Sequence, residues 1–239
     1  PAPDGRGPRR MVLAAGAFLG LHCGLWLTSL EFTTVASSVT LVTMSPIFVA
    51  LGARRWLGEQ VTTRTWAGMA VALAGAVAIG LADGIDVDLG ARALVGDLLA
   101  LAGAVAVAGY LLVGRAARQS VPLAWYASRT YGVAAATLLV ACLVSGTPLW
   151  GFEAMGWLAI AGIVAGPQLL GHTVLNGLLD RVRPTTISIA VLAEPVGATL
   201  LAWALLDELP ATLFWLGAPL VLIGIAFATV VRRQRAPVD

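Results

Sequence analysis

A five-residue pattern occurs twice in this chain, and every member is displaced by the same 149 residues without a gap. Pro46, Glu59, Trp66, Gly68 and Gly75 form the first copy; Pro195, Glu208, Trp215, Gly217 and Gly224 form the second. Leu51/Leu200, Leu57/Leu206, Thr63/Thr212 and Leu73/Leu222 keep the same register. The period is far longer than the unit of a solenoid. It marks a duplicated half-protein, and in an apolar chain such a duplication points to a transporter.

The chain is apolar: 59% of residues are hydrophobic and 12% charged, too little charge to cover a soluble domain of this length. Apolar runs long enough to cross a bilayer recur along nearly the whole sequence. Backbone groups in lipid must be satisfied within the segment, so these spans are expected to be helices. Membrane strands would be shorter and would alternate polar with apolar residues. The expected fold is therefore an all-α polytopic membrane protein. Eight spans are placed at 11–29, 35–53, 65–82, 93–114, 123–145, 155–178, 186–206 and 212–231. The breaks carry turn or charge signals, among them Asp83-Gly84-Ile85-Asp86, Ser145-Gly146-Thr147-Pro148 and Asp207-Glu208-Leu209-Pro210. Cys23 and Cys142 both lie inside apolar runs and read as buried thiols rather than a disulfide framework.

Arginine fixes the expected orientation. Arg6, Arg9 and Arg10 precede the first span, and Arg54, Arg55 and Arg64 lie between the second and third. Arg115, Arg118, Arg181, Arg183, Arg232, Arg233 and Arg235 occupy the other connections on that side, against Arg92 alone opposite. The positive-inside rule makes the arginine-rich side, with both termini, cytoplasmic. The first pattern copy covers the second and third spans and the second covers the seventh and eighth. A shift of five spans is odd, so the copies must cross the bilayer in opposite directions, with Glu59 on the cytoplasmic side and Glu208 outside. The expectation is an inverted-repeat helical bundle. Residues 1–83 would form the first repeat, with three spans, and residues 84–239 the second, with five. Five spans per repeat imply ten in all, with two helices preceding residue 11.

Ser45-Pro46 through Gly58-Glu59, with Trp66, Gly68 and Gly75, resembles the EamA domain of the drug/metabolite transporter superfamily. So do Ala193-Glu194-Pro195-Val196 through Asp207-Glu208, with Gly217 and Gly224, and Gly171-His172-Thr173 with Asn176. The resemblance implies two inverted five-helix repeats around a central cavity. It also implies transport of small metabolites, often export of amino acids or related compounds.

Several polar residues inside spans are candidates for solute contact. Gln168, His172 and Asn176 recur every four residues, which on an α-helix makes one polar stripe facing the bundle interior. Glu194 falls near mid-membrane, where an ionisable group is costly; it reads as a site for a substrate amine or a proton, or as a protonated acid bonded between helices. The short connection between the sixth and seventh spans should bring His172 toward Glu194. Either residue is a candidate for proton coupling. His22, Trp26 and Thr40 are expected on the opposite wall, with interhelical bonding the alternative for His22. Arg129 is the one arginine within a span, read as an anion contact or as a side chain snorkelling to the interface. Pro46 and Pro195 sit at equivalent places inside spans and read as hinges, or as static kinks. Glu59 and Glu208 read as carboxylates near helix N-termini. Gly16, Gly20 and Gly24, like Gly162 and Gly166, have the spacing of close helix packing.

No nucleophile elbow, phosphate-binding loop, metal-ligand spacing or soluble nucleotide-hydrolysing domain is visible. No cofactor, metal or nucleic acid is called for. The expected partners are the bilayer, a small solute and, for coupling, protons. A non-transporting scaffold or subunit is the rival reading. An intramembrane enzyme would need its polar groups clustered at one depth, and here they are scattered.

Overall fold

The structure is a computed structural model that describes residues 6–81 and 90–229. The Asp83–Asp86 break, the 83/84 repeat boundary and Arg232, Arg233 and Arg235 lie outside the described residues. The described residues are all-helical. In chain order the helices are α1 (Arg6–Ser29), α2 (Val35–Val42), α3 (Ser45–Trp56), α4 (Thr63–Gly80), α5 (Ala91–Arg118), α6 (Leu123–Ser145) and α7 (Ala154–Ile163). A π segment (Val164–His172) follows, then α8 (Thr173–Leu178), α9 (Pro184–Val191), α10 (Glu194–Leu206) and α11 (Phe214–Thr229). Among the described residues six helical stretches are long and apolar enough to cross a bilayer: Gly7–Ser29, Val35–Trp56, Ala91–Arg118, Leu123–Ser145, Ala154–Leu178 and Pro184–Leu205. The third and eighth spans are α4, with 18 residues, and α11, with 16. The polytopic helical bundle expected from the sequence is therefore what forms.

The helices pack as two units. The first comprises residues 1–59 and 86–187, the second residues 60–85 and 188–239. In the first unit α1 packs against both α5 and α6. Lipid tails are as apolar as leucine, so helices associate here by close van der Waals fit rather than by escape from water. The Gly16/Gly20/Gly24 stripe supplies that fit. A Cβ at Gly16 would stand 2.6 Å from Val133 Cβ, and one at Gly20 2.8 Å from Thr137 Cβ. This register makes α1 and α6 parallel. By contrast Gly109 abuts Phe18 and Gly96 abuts Thr33, so α5 runs antiparallel to α1. Both directions match alternate crossing of a bilayer. Gly162 and Gly166 differ from expectation: a side chain there would meet nothing, and the whole of Ala154–Ile163 is without a buried residue.

The second unit is built on α4 and α11, which carry the glycines of the repeated pattern. A Cβ on Gly75 would come within 2.6 Å of the Gly217 carbonyl oxygen, and one on Gly217 within 2.6 Å of the Gly75 oxygen. Gly68 and Gly224 make the matching pair, at 2.7 and 2.6 Å. Gly68 corresponds to Gly217 and Gly75 to Gly224, so exchanging the copies maps one contact onto the other. Two helices of the same sequence pattern thus lie antiparallel about a local two-fold axis, the arrangement an inverted repeat requires.

The duplicated segments also share backbone detail. The second span breaks at Thr43-Met44 into α2 and α3, and the seventh breaks at Leu192-Ala193 into α9 and α10. These positions are 149 residues apart. The breaks close with equivalent turns, Met44 N to Leu41 O at 3.2 Å and Ala193 N to Ala190 O at 3.1 Å. Pro46 and Pro195 fall in the first turn of the following half-helix. Their missing N–H costs nothing there, because first-turn donors have no partner within the helix. The prolines are thus not kinks in continuous helices. Both half-helices then end on a left-handed residue, Gly58 at φ 66° and its counterpart Asp207 at φ 55°. Glu59 N returns to Ala53 O at 3.1 Å and Glu208 N to Ala202 O at 3.5 Å, again equivalent bonds.

Candidate functional site

The polar residues of the first unit gather on α1, α5, α6 and the sixth span. His22 and Trp26 lie one turn apart on α1, with rings stacked at 6.0 Å and 13°. His22 is buried and its Nδ1 pairs with the Gly103 carbonyl of α5 at 3.0 Å. His172 closes the π segment that contains Pro167; the missing proline N–H and the ring's bulk favour such a widened turn. Tyr110 of α5 meets the His172 ring edge-on at 5.8 Å.

Asn176 forms the centre of a hydrogen-bond chain. It is fully buried. Tyr110 donates to its Oδ1 at 2.5 Å, and its Nδ2 donates to the Tyr131 hydroxyl at 3.1 Å. The Tyr131 hydroxyl also pairs with Thr173 Oγ1 at 3.0 Å. Arg118 Nε donates to the Asn176 carbonyl at 3.0 Å, its Nη1 bonds Val121 O, and Nη2 pairs with Asp180 at 3.2 Å. Arg115 bonds the Leu179 carbonyl at 2.5 Å, so the last carbonyls after α8 are covered by cations. The Asn176 side chain is thus occupied by α5 and α6, which locks α8 and orients His172.

Among the described residues seven buried side-chain atoms have no hydrogen-bond partner, and three of them, Trp26 Nε1, Thr40 Oγ1 and His172 Nδ1, belong to residues expected to meet the solute. Unpaired donors and acceptors are expensive in lipid-embedded structure. Two of the three belong to the stacked and edge-on rings just described. Thr40, on α2, lies in the same unit.

The remaining candidates stand elsewhere. Gln168 is half-buried in the π segment, and its carbonyl receives the Thr173 hydroxyl at 3.5 Å. Glu194 is the first residue of α10, is exposed, and belongs with Pro195 to the second unit. A carboxylate at that position is favoured by the helix dipole. Arg129 is exposed on α6, its guanidinium 5.8 Å from the Trp125 ring centroid. Thr62 caps α4, accepting from Thr65 N at 3.2 Å, while Glu59 accepts instead from the Thr185 hydroxyl at 2.9 Å.

Tyr110 and Tyr131 were not singled out from the sequence. The available signal was the hydroxyl itself, since a tyrosine inside a membrane span must find a partner for it. Thr33 and Ser37 were likewise missed; both donate to Asp97 Oδ1, at 2.8 and 2.7 Å, and fasten the turn between α1 and α2 to α5. Among the described residues no three His, Cys, Asp or Glu side chains form a metal site.

Half-helices broken at repeat-equivalent places and an antiparallel glycine seam define a polytopic membrane helical bundle of the inverted-repeat kind. The EamA-like transporter family model matches residues 3–81 and 94–230, and the chain belongs to that family, within the drug/metabolite transporter superfamily. A riboflavin transporter from Rhizobium johnstonii is 31% identical over 247 residues, covering 95% of this chain and 72% of the relative. A solved crystal structure matches with a TM-score of 0.79 at 23% identity, over 95% of this chain and 77% of the other, which supports the fold.

Proposed function

We propose that this transporter carries a small, flat, polar solute, and that His22, Trp26, Thr40 and His172 form the wall it meets. The observation that carries the reading is the set of unpaired buried groups, Trp26 Nε1, Thr40 Oγ1 and His172 Nδ1, beside a stacked ring pair. Stacked rings offer a face to a heteroaromatic ring, and the free polar atoms offer hydrogen bonds to its edge. The name of the Rhizobium relative makes riboflavin the first solute to test, ahead of the amino-acid-like compounds that the sequence suggested. Asn176 and Tyr110 act as positioning residues. Access would alternate as the two repeats rock about the equivalent breaks before Pro46 and Pro195, with both termini on the cytoplasmic side of the inner membrane. Glu194 and His172 are the candidates for proton coupling.

The test is flux of labelled riboflavin, and of a labelled amino-acid mixture, in both directions across proteoliposomes containing the purified protein. Riboflavin is expected to move, and Trp26→Phe, which keeps the ring and removes one donor, is expected to raise KM about tenfold. Amino-acid flux without riboflavin flux would overturn the solute assignment, and an unchanged KM in Trp26→Phe would remove the wall. Proton coupling through Glu194 fails if Glu194→Gln keeps the wild-type pH dependence.

A further inference from the structure

We propose that the groove between α1 and α6 binds the phosphodiester headgroup of an anionic phospholipid, held by Arg9 and Arg129 above the Trp125 ring. The groove is lined by Arg9, Val12, Trp125, Ser128, Arg129 and Val133, among others, with a volume of about 560 Å³. Both arginines are exposed, and no carboxylate lines it. Among the described residues, neither guanidinium has a hydrogen-bond or ion-pair partner.

That sets them apart from Arg115, Arg118 and Arg181. Arg115 and Arg118 are occupied by the carbonyls of Leu179 and Asn176 and by Asp180, and Arg181 faces Asp180. Arg9 and Arg129 instead share one groove, and two like charges in one groove call for an anion between them.

Their depth selects which anion. Arg129 is six residues into α6, about 9 Å along the helix at the usual rise, within reach of the headgroup level for a snorkelling side chain. The Gly16–Val133 packing register sets Arg9 about one turn nearer the same end. Arginine count assigns that end to the cytoplasmic leaflet, where anionic lipid meets basic clefts between helices. Two planar guanidinium forks suit phosphate oxygens, and the Trp125 indole is an interfacial anchor that holds Arg129 from below. Val12, Leu13 and Val133 give the groove an apolar floor along which an acyl chain can lie; a free phosphate ion has no use for it. A lipid is therefore the occupant.

Native mass spectrometry of the protein with phosphatidylglycerol or phosphatidylcholine tests this, with thermal unfolding in matched detergent as a second readout. Phosphatidylglycerol is expected to bind at least tenfold more tightly than phosphatidylcholine and to raise the unfolding midpoint. The Arg9→Gln/Arg129→Gln variant should lose that preference, whereas the Arg54→Gln/Arg55→Gln variant should keep it. If the double glutamine variant does not fold, Arg129→Lys keeps the charge without the fork and should lower the preference by several-fold. Equal binding of the two lipids, a preference retained in the groove variants, or equal protection by inorganic phosphate alone would overturn the proposal.

Discussion

Replacing Gly75 with alanine tests the seam on which the second unit rests. The new Cβ would stand 2.6 Å from the Gly217 oxygen and 2.6 Å from the Val221 nitrogen. Both are backbone atoms of α11, so no side chain can swing aside, and the helices must part by several tenths of an ångström. Overpacking of this kind costs about 1–3 kcal/mol. Alanine recovers up to about 1 kcal/mol of helix propensity over glycine. Two backbone clashes place this case in the upper part of the overpacking range, about 2–3 kcal/mol, so the net loss is about 1–2 kcal/mol, which lowers an unfolding midpoint by about 2–8 °C for a chain of this size. Local symmetry adds a sharper requirement. Gly217→Ala strikes the same contact from the other side, so it should cost as much as Gly75→Ala. Once the seam has opened for one methyl group the second enters more cheaply, and the double variant should fall short of the sum by at least 0.5 kcal/mol, roughly the smallest coupling such cycles resolve. Gly162→Ala is the control: open space surrounds it, and its midpoint should hold or rise. Thermal unfolding followed by tryptophan fluorescence in a fixed detergent gives all four values. A Gly75→Ala midpoint equal to that of the parent, or fully additive singles, would refute the packing argument.

Two further predictions use the same assay. Asp207 holds a left-handed backbone that glycine occupies at the equivalent Gly58, so Asp207→Gly should stabilise by up to about 1 kcal/mol, while Gly58→Ala should destabilise by about 1 kcal/mol; opposite signs would reject the shared corner. Tyr110→Phe leaves the buried Asn176 Oδ1 without its donor and should cost about 1–3 kcal/mol, part of which a second change, Asn176→Leu, should return; no recovery would mean the pair is not coupled.

Much of the fold was legible because lipid leaves so few options. Backbone satisfaction turns apolar runs into helices, and an odd shift between pattern copies forces inversion. The antiparallel Gly68–Gly224 and Gly75–Gly217 contacts are that inversion made physical. Small-residue spacing was a weaker guide: Gly16, Gly20 and Gly24 pack on α6, but Gly162 and Gly166, with the same spacing, touch nothing. Spacing says which face is smooth and leaves open what presses on it. Pro46 and Pro195 pointed to repeat-equivalent places, and each stands in the first turn after a break in its span. A proline removes one donor whether it kinks a helix or starts one, and only the preceding residues' bonding distinguishes the two.

The site was legible in part for a similar reason. His22, Trp26, His172 and Asn176 stood out because polar groups in lipid need partners, and they do lie in one unit. Four-residue spacing promised a stripe on an α-helix, yet Val164–His172 winds as a π segment, where that rule does not set the face. Tyr110 and Tyr131 were hidden because an aromatic ring in an apolar run looks like packing, and a hydroxyl declares its partner only in three dimensions. Arg129 showed the limit of depth alone: its position along α6 made snorkelling one reading, but did not show that Arg9 lines the same groove.

The α4–α11 contact has a bearing on origins. A surface that fits its own copy turned end for end needs only one gene to make a pair, provided the product enters the membrane both ways round. Gly68 and Gly75 would then have faced their own counterparts in a second molecule before one chain held both. In one chain the two copies need not stay identical, and at the Gly58/Asp207 corner one carries aspartate where the other carries glycine.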